Sequence, residues 1–246
     1  MIPKLIHLCW FGGGKFPRDI KLCLKSWKKV LPDYEIVIWD EKKALATGIP
    51  YVEEALSVKK WAFAADVVRL YALYNYGGLY MDTDVRLFKR FDSFLDGSGA
   101  VFFVENHHFE GSETCLGIQA AFFASEKGND AVGRVLDYYT DKHFILSDGQ
   151  FDMDDIAPAK FAKALEPLGF EYEDKKMDLE GNAVVWPSRY VAGNYYELTE
   201  DSFAIHLCDH SWASFSLSER WKLFKWKTKI ILKERFGGRG TIRIYS

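Results

Sequence analysis

An α/β fold, with helices flanking a largely parallel mixed sheet, is predicted by three features of this 246-residue chain. The first 40 residues read as strand, helix, strand. A long helical stretch stops at Gly77-Gly78 and feeds an apolar run. Strand-length apolar segments then alternate with helical ones through the rest of the chain, the pattern of βαβ units.

The first strand is "KLIHLCWF" (4–11), which stops at Gly12-Gly13-Gly14. Pro17 fits the first turn of a helix running to about Val30. Ile20, Cys23, Leu24, Trp27 and Leu31 keep helical spacing along it. Pro32-Asp33 makes a turn, and "YEIVIWD" (34–40) is a second strand. Residues 52–76 are predicted as one long helix with Gly77-Gly78 as its stop. "GLYMDTD" follows as a strand, then "GAVFFVEN" (99–106) and "CLGIQAAFFA" (115–124). Helices are expected near 129–141 and 156–167, and late strand-like segments in "NAVVWPSRYV" and "SFAIHLCDHSW". His7 and Trp27 read as packing residues.

Composition narrows the function. Hydrophobic content of 48% and aromatic content of 16% support a sizeable core, with rings to spare for stacking. A net charge of −3 argues against nucleic acid as the main partner. The charge is unevenly spread: residues 219–246 hold nine Lys or Arg against two acids, leaving 23 basic and 33 acidic residues elsewhere. Cys9, Cys23, Cys115 and Cys208 show no CxxC spacing, which fits free thiols in a reducing compartment. The opening apolar stretch is too short for a signal peptide, and no run of about 18 apolar residues exists. A cytoplasmic location, peripheral at the inner face of the cell membrane, is the expectation.

Asp82 and Asp84 are the chemical signal. In a strand, residues two apart face one side, with Cα atoms about 6.6 Å apart from a rise of about 3.3 Å per residue. Following an apolar strand, they fall near its C-terminal end, where open α/β sheets bind ligands. A divalent ion with oxygen ligands suits two such acids. The alternative is a solvated loop with two turn-favouring acids. On the preceding helix Asp66 and Arg69 lie three apart and share a largely apolar face. They form either a structural salt bridge or an acid for sugar hydroxyls beside a cation for phosphate. Gly12-Gly13-Gly14-Lys15 lacks the spacing of a phosphate-binding P-loop.

The ordered segments "IPKLIHLCWFGGG", "SWKKVLPDYEIVIWD", "AFAADVVRLYALYNYGGLYMDTDV" and "AIHLCDHSW" resemble glycosyltransferase family 32. These are DXD-containing sugar transferases of capsular and cell-surface polysaccharide pathways, distantly similar to the catalytic domain of large clostridial glucosylating toxins. The resemblance is dense over residues 1 to about 90 and patchy until 204–212. It implies a GT-A fold, a nucleotide-sugar donor (a UDP-sugar), Mn²⁺ or Mg²⁺, and a retaining transfer to a saccharide acceptor. It implies Trp10 stacking on the donor base, Asp66 and Arg69 contacting donor sugar and phosphate, and Tyr80 as the aromatic ahead of the motif. Asp82 would touch ribose, sugar and metal, while Asp84 would be the direct metal ligand. His206 is the candidate third ligand, with His210, Asp209 or Ser211 as substitutes and a core histidine as the alternative. Trp212 would cover the diphosphate. Leu207 departs from the family's second histidine. Asp82, Asp84 and Arg69 are the expected catalytic set, because a divalent cation and a guanidinium stabilise a departing diphosphate.

The expected organisation is a catalytic domain over 1–215, with a donor part to about 106 and an acceptor part over 107–215. Residues 216–246 read as a basic amphipathic helix and tail. In that helix Trp221, Phe224, Thr228, Ile231 and Leu232 form one stripe, and Leu223, Trp226 and Ile230 another. The Lys-rich stretch 219–243 suits an anionic membrane surface and a lipid-linked acceptor. A helix packed on the domain is the alternative. Two other functions are kept open: a toxin-like protein glycosyltransferase and a non-catalytic saccharide- or nucleotide-binding module.

Overall fold

The computed structural model describes residues 1–107, 115–153, 156–194 and 197–207. It begins with β1 (Leu5–Cys9), α1 (Arg18–Val30) and β2 (Glu35–Trp39), with Pro17 capping α1 rather than lying within it. The short α2 (Glu41–Leu45) follows, its first turn capped by the Asp40 carboxylate accepting from Lys43 N at 2.9 Å. Then come α3 (Pro50–Ser57), α4 (Trp61–Tyr76), β3 (Gly78–Met81) and β4 (Val85–Leu87). The chain continues through β5 (Ala100–His107), β6 (Cys115–Ile118), β7 (Phe122–Ser125) and α5 (Asp130–Thr140). It closes with α6 (Ala157–Leu165), β8 (Met177–Leu179), β9 (Ala183–Trp186), β10 (Val191–Ala192) and β11 (Ala204–His206).

The main sheet runs β2-β1-β3-β7-β5-β9-β8, with β6 on β5; β10-β11-β4 form a smaller sheet. β1 pairs parallel with β2 and β3, and β5 with β9. β7 is antiparallel to both β3 and β5, and β8 to β9. The sheet is mixed, as expected, but with three parallel and four antiparallel pairings among the described residues it is not largely parallel. Only seven residues separate β5 from β6, too few for the crossover that a parallel pairing needs, so β6 pairs antiparallel with β5.

Both faces of the sheet are covered, which is why its strands read as apolar runs. Side chains of β5 alternate between two cores: Phe102 and Val104 meet α3, α4, α5 and α6. Val101 and Phe103 meet α1 and the small sheet. Trp27, fully buried on α1, donates its indole N–H to Val85 O at 2.8 Å, and His7 is buried against Gly77.

Two elements depart from the sequence reading. Residues 52–76 are two helices, not one. Lys59 takes a left-handed φ of 58°, and Lys60 N donates to Ala55 O at 2.8 Å, the hydrogen bond of a helix terminus. No Gly or Pro marks that break. The run 115–124 is likewise interrupted. β6 pairs Ile118 with Val104 while β7 pairs Ala124 with Val101, so the register slips at Gln119–Ala121. That slip frees the Ala120 and Ala121 carbonyls from the β5 ladder.

Gly77 and Gly78 do more than stop α4. Both have positive φ, 68° and 110°. A Cβ on Gly78 would sit 2.7 Å from Leu5 O, and one on Gly77 would sit 2.8 Å from Lys127 N. The pair lets β3 begin tight against β1.

Candidate functional site

The acids lie where the chain leaves one sheet for the other. Asp82 N donates to Ala121 O and Val85 N donates to Asp82 O, both at 2.9 Å, closing Asp82–Val85 as a tight turn. The strand expected to carry both acids on one side is thus corrected: β3 ends at Met81. Its continuation β4 joins the other sheet, so the direction changes at the acids, and aspartate is favoured in turns.

The small sheet brings the third group. β4 runs antiparallel to β11 with Val85 opposite His206, and Leu207 N donates to Asp84 O at 3.1 Å. His206 Nε2 comes to 3.4 Å from Asp84 Oδ1. Donor atoms of Asp82, Asp84 and His206 all lie within 4.8 Å of one another. All three residues are half-buried. From α1, Trp27 holds Val85 O and Ser26 Oγ accepts Leu87 N at 3.0 Å, fixing the far side of the turn.

Arg69 organises the other flank. It is 5% exposed, and its guanidinium reaches in three directions. Nε donates to Ala65 O at 3.1 Å and Nη1 to Ala120 O at 2.7 Å. Nη2 lies 3.0 Å from Asp66 Oδ1 and 3.5 Å from Asp82 Oδ1. The guanidinium covers the Tyr80 ring at 4.7 Å, and the Tyr80 hydroxyl donates to Asp82 Oδ1 at 2.7 Å. Tyr80 is buried, with its hydroxyl against the Asp82 carboxylate.

Charge and burial compete here. Burial opposes the Arg69 charge, but Asp82 and then Tyr80 and Asp66 raise its pKa overall. Burial pushes the Asp66 carboxyl up to about 6 against the pull of Arg69. Burial likewise pushes the Cys9 thiol up to about 12, and Cys9 senses Arg69, Asp82 and Tyr80. Cys9 was not singled out from the sequence. The signal was present, since alternation along β1 places it one strand away on the face of Tyr80.

Trp10 follows β1 directly, its backbone N donating to Trp39 O at 2.9 Å, at the sheet edge that also carries Asp82. Its indole N–H donates to Gly14 O at 2.7 Å, and its ring lies 4.7 Å from that of Phe16. The glycine loop therefore positions this aromatic. Asp209, His210, Ser211, Trp212 and the segment 216–246 lie outside the described residues.

Two carboxylates and an imidazole converging within 4.8 Å form a donor set that fits Mn²⁺ or Mg²⁺. Arg69 beside Asp82 adds a fixed positive charge, the complement of an anionic group bridging metal and guanidinium.

Known proteins resemble this chain in sequence over part of its length. Residues 17–100 match the family described as glycosyltransferase sugar-binding region containing DXD motif. Two relatives come from Schizosaccharomyces pombe. Inositol phosphoceramide mannosyltransferase 3 is 36% identical over 98 residues, which is 38% of this chain and 27% of the relative. Inositol phosphoceramide mannosyltransferase 2 is 32% identical over 99 residues, 39% of this chain and 28% of the relative. The chain thus spans about a quarter of the length of these curated relatives. Among solved structures, the PaToxG glycosyltransferase has a TM-score of 0.50 at 23% identity, covering 68% of this chain and 69% of its own. The family match and the two relatives support glycosyltransferase chemistry, and the solved structure supports the fold.

Proposed function

We propose, from the premise that residues 17–100 belong to the DXD sugar-binding region of glycosyltransferases, that this protein transfers a sugar from a nucleotide-sugar donor to a saccharide acceptor with a divalent cation. The observation that carries the reading is the meeting of Asp82, Asp84 and His206 within 4.8 Å, flanked by Arg69.

Asp82, Asp84 and His206 would hold Mn²⁺ or Mg²⁺. Bound there, the cation would supply charge stabilisation to the departing diphosphate. Asp84 holds the outer corner of the turn, fixed by Leu207 N on its backbone carbonyl. Asp82, oriented by Tyr80 and Arg69, is shared between the metal side and the donor. Arg69 is preorganised by Ala65 and Ala120, so its charge needs no rearrangement when a phosphate arrives. Asp66 accepts donor-sugar hydroxyls. Trp10 lies against the base, restrained by Gly14 and Phe16.

The finer reading is a retaining transfer from a UDP-sugar to a growing capsular or cell-surface glycan. GDP-mannose joins the candidate donors because both relatives are named mannosyltransferases. Residues 219–243 would hold the enzyme on the anionic inner face of the cell membrane, close to a lipid-linked acceptor. A toxin-like transfer to protein is the second reading, and the PaToxG likeness concerns its fold alone.

The test is hydrolysis of a panel of UDP-glucose, UDP-galactose, UDP-N-acetylglucosamine and GDP-mannose with and without Mn²⁺. Metal-dependent turnover of at least one donor, lost in Asp84→Ala, is expected. Turnover that ignores both metal and Asp84 overturns the proposal.

A further inference from the structure

Lys160, on α6, is 4% exposed, an unusual place for an ammonium group. Its carboxylate partner is Asp152 Oδ2 at 3.2 Å. The Asp152 backbone carbonyl accepts the Tyr51 hydroxyl at 3.4 Å. The ammonium lies 5.9 Å from the Tyr51 ring centre and 5.7 Å from that of Tyr139. The Tyr139 hydroxyl is fully buried and has no hydrogen-bond partner among the described residues. An unsatisfied hydroxyl beside a buried cation is costly in a packed core, and such groups call for an explanation.

This cluster adjoins the proposed donor site from two sides. On one side, Phe63 of α4 contacts Phe144 at 5.1 Å, Phe144 contacts Tyr51 at 5.3 Å, and Tyr51 contacts Tyr139 at 5.3 Å. Asp66 lies one turn beyond Phe63 on the same face of α4. On the other side, Phe161, next to Lys160, contacts Phe123 at 5.7 Å, and Phe123 contacts Tyr80 at 5.9 Å beneath Arg69. Lys160 also acts on the Asp66 carboxyl, drawing its pKa down against burial. The side chains of Asp66 and Asp152 are 17% and 19% exposed, so the cluster meets solvent along these two carboxylates.

We propose that Lys160 and the Tyr139 hydroxyl form the far wall of the donor-sugar pocket and donate hydrogen bonds to a hexose hydroxyl remote from the anomeric carbon. The assignment rests on the transferase reading above. The Asp82–Asp84–His206 and Arg69 end takes the diphosphate, so the sugar extends from there past Asp66. A sugar hydroxyl both donates and accepts: Asp66 accepts its proton, and Lys160 and Tyr139 donate to its lone pairs. Asp152 already balances Lys160, and Asp66 repels a further anion. The pocket therefore selects a neutral hexose over a uronic acid.

The experiment compares the full-length wild type with Lys160→Met, Lys160→Arg and Tyr139→Phe. UDP-glucose, UDP-galactose, GDP-mannose and UDP-glucuronate are offered with Mn²⁺, and the fastest donor is carried forward. Its KM should rise about tenfold in Lys160→Met and about threefold in Tyr139→Phe. Lys160→Arg should recover part of the loss. Binding of the corresponding sugar-free nucleoside diphosphate should stay within about twofold. Tyr139→Phe removes only an unpaired hydroxyl, so its Tm should not fall. Wild-type donor KM in both Tyr139→Phe and Lys160→Met, or equal loss of donor and diphosphate binding, overturns the proposal alone. Preference for UDP-glucuronate overturns the neutral-sugar selection. If the wild type hydrolyses none of the donors, the transferase reading fails and this assignment falls with it.

Discussion

Arg69 concentrates the site's electrostatics in one residue. Its guanidinium meets two carboxylates and two backbone carbonyls. In Arg69→Met, Asp66 and Asp82 lose their shared cation, which should cost about 3 kcal/mol in urea unfolding. Donor turnover should disappear as well, and a variant that kept wild-type stability would refute this account. For His206→Ala the expected effect is on metal affinity rather than folding. The Mn²⁺ concentration for half-maximal donor hydrolysis should rise about tenfold or more. His7 makes a different prediction. Trp39 Nε1–H donates to His7 Nδ1 at 3.1 Å, so the neutral ring donates from Nε2 to Gly77 O at 2.9 Å. Burial lowers its pKa from the ordinary 6.5, against the Gly77 hydrogen bond and helped by Lys43. The folded state then binds fewer protons than the unfolded state as pH falls past 6.5, so stability is lost on that side. Unfolding followed from pH 8 to 5 should show a flatter acid limb in His7→Gln. Parallel limbs would remove His7 as the source.

The elements around the site work through their ends. β3 must start beside β1 and stop at Met81, and each limit has its own cause. Gly78→Ala adds a Cβ 2.7 Å from Leu5 O at a φ of 110°, which should destabilise by about 2–3 kcal/mol. A change under about 0.5 kcal/mol would mean that β1 and β3 can separate there. The break between α3 and α4 shows the reverse situation. Lys59 holds a left-handed conformation better suited to glycine. Lys59→Gly should therefore gain about 0.5–1 kcal/mol, read as a higher urea midpoint at unchanged slope. The break also sets the start of α4, and hence which of its residues meet β3 and the slipped β6–β7 register.

At the scale of the molecule, the site is a junction between two sheets. β3 belongs to the main sheet and β4 to the small one, and the two acids occupy the turn between them. α1 packs under the small sheet and α4 over the main one, so the two cores fix opposite sides of one turn. No helix among the described residues is long and apolar enough to cross a membrane. Membrane attachment through the stretch 219–243 is proposed from its basic charge alone. Full-length protein should float with vesicles containing about 30% anionic lipid, more weakly as salt rises. Protein lacking residues 219–246 should stay behind, and equal flotation of both would sink the attachment.

The sequence by itself determined the α/β class, the first strands and helices, and the acids together with Asp66 and Arg69. Those features are local: periodicity, glycine stops and residue spacing are written in consecutive positions. His206 could be nominated from the sequence, but its placement beside Asp84 depends on β4 and β11 pairing across more than a hundred residues. The tertiary structure also decided that the acids form a turn, that 52–76 is two helices, and that four of the seven main-sheet pairings are antiparallel. Each of these depends on partners distant in sequence. The Ala120 and Ala121 carbonyls meet Arg69 and Asp82 only because a register slip releases them. Lys160 lies in the helix expected near 156–167, and only packing buries it beside Tyr139. Burial follows from the meeting of α3, α5 and α6, which no local pattern in the chain specifies.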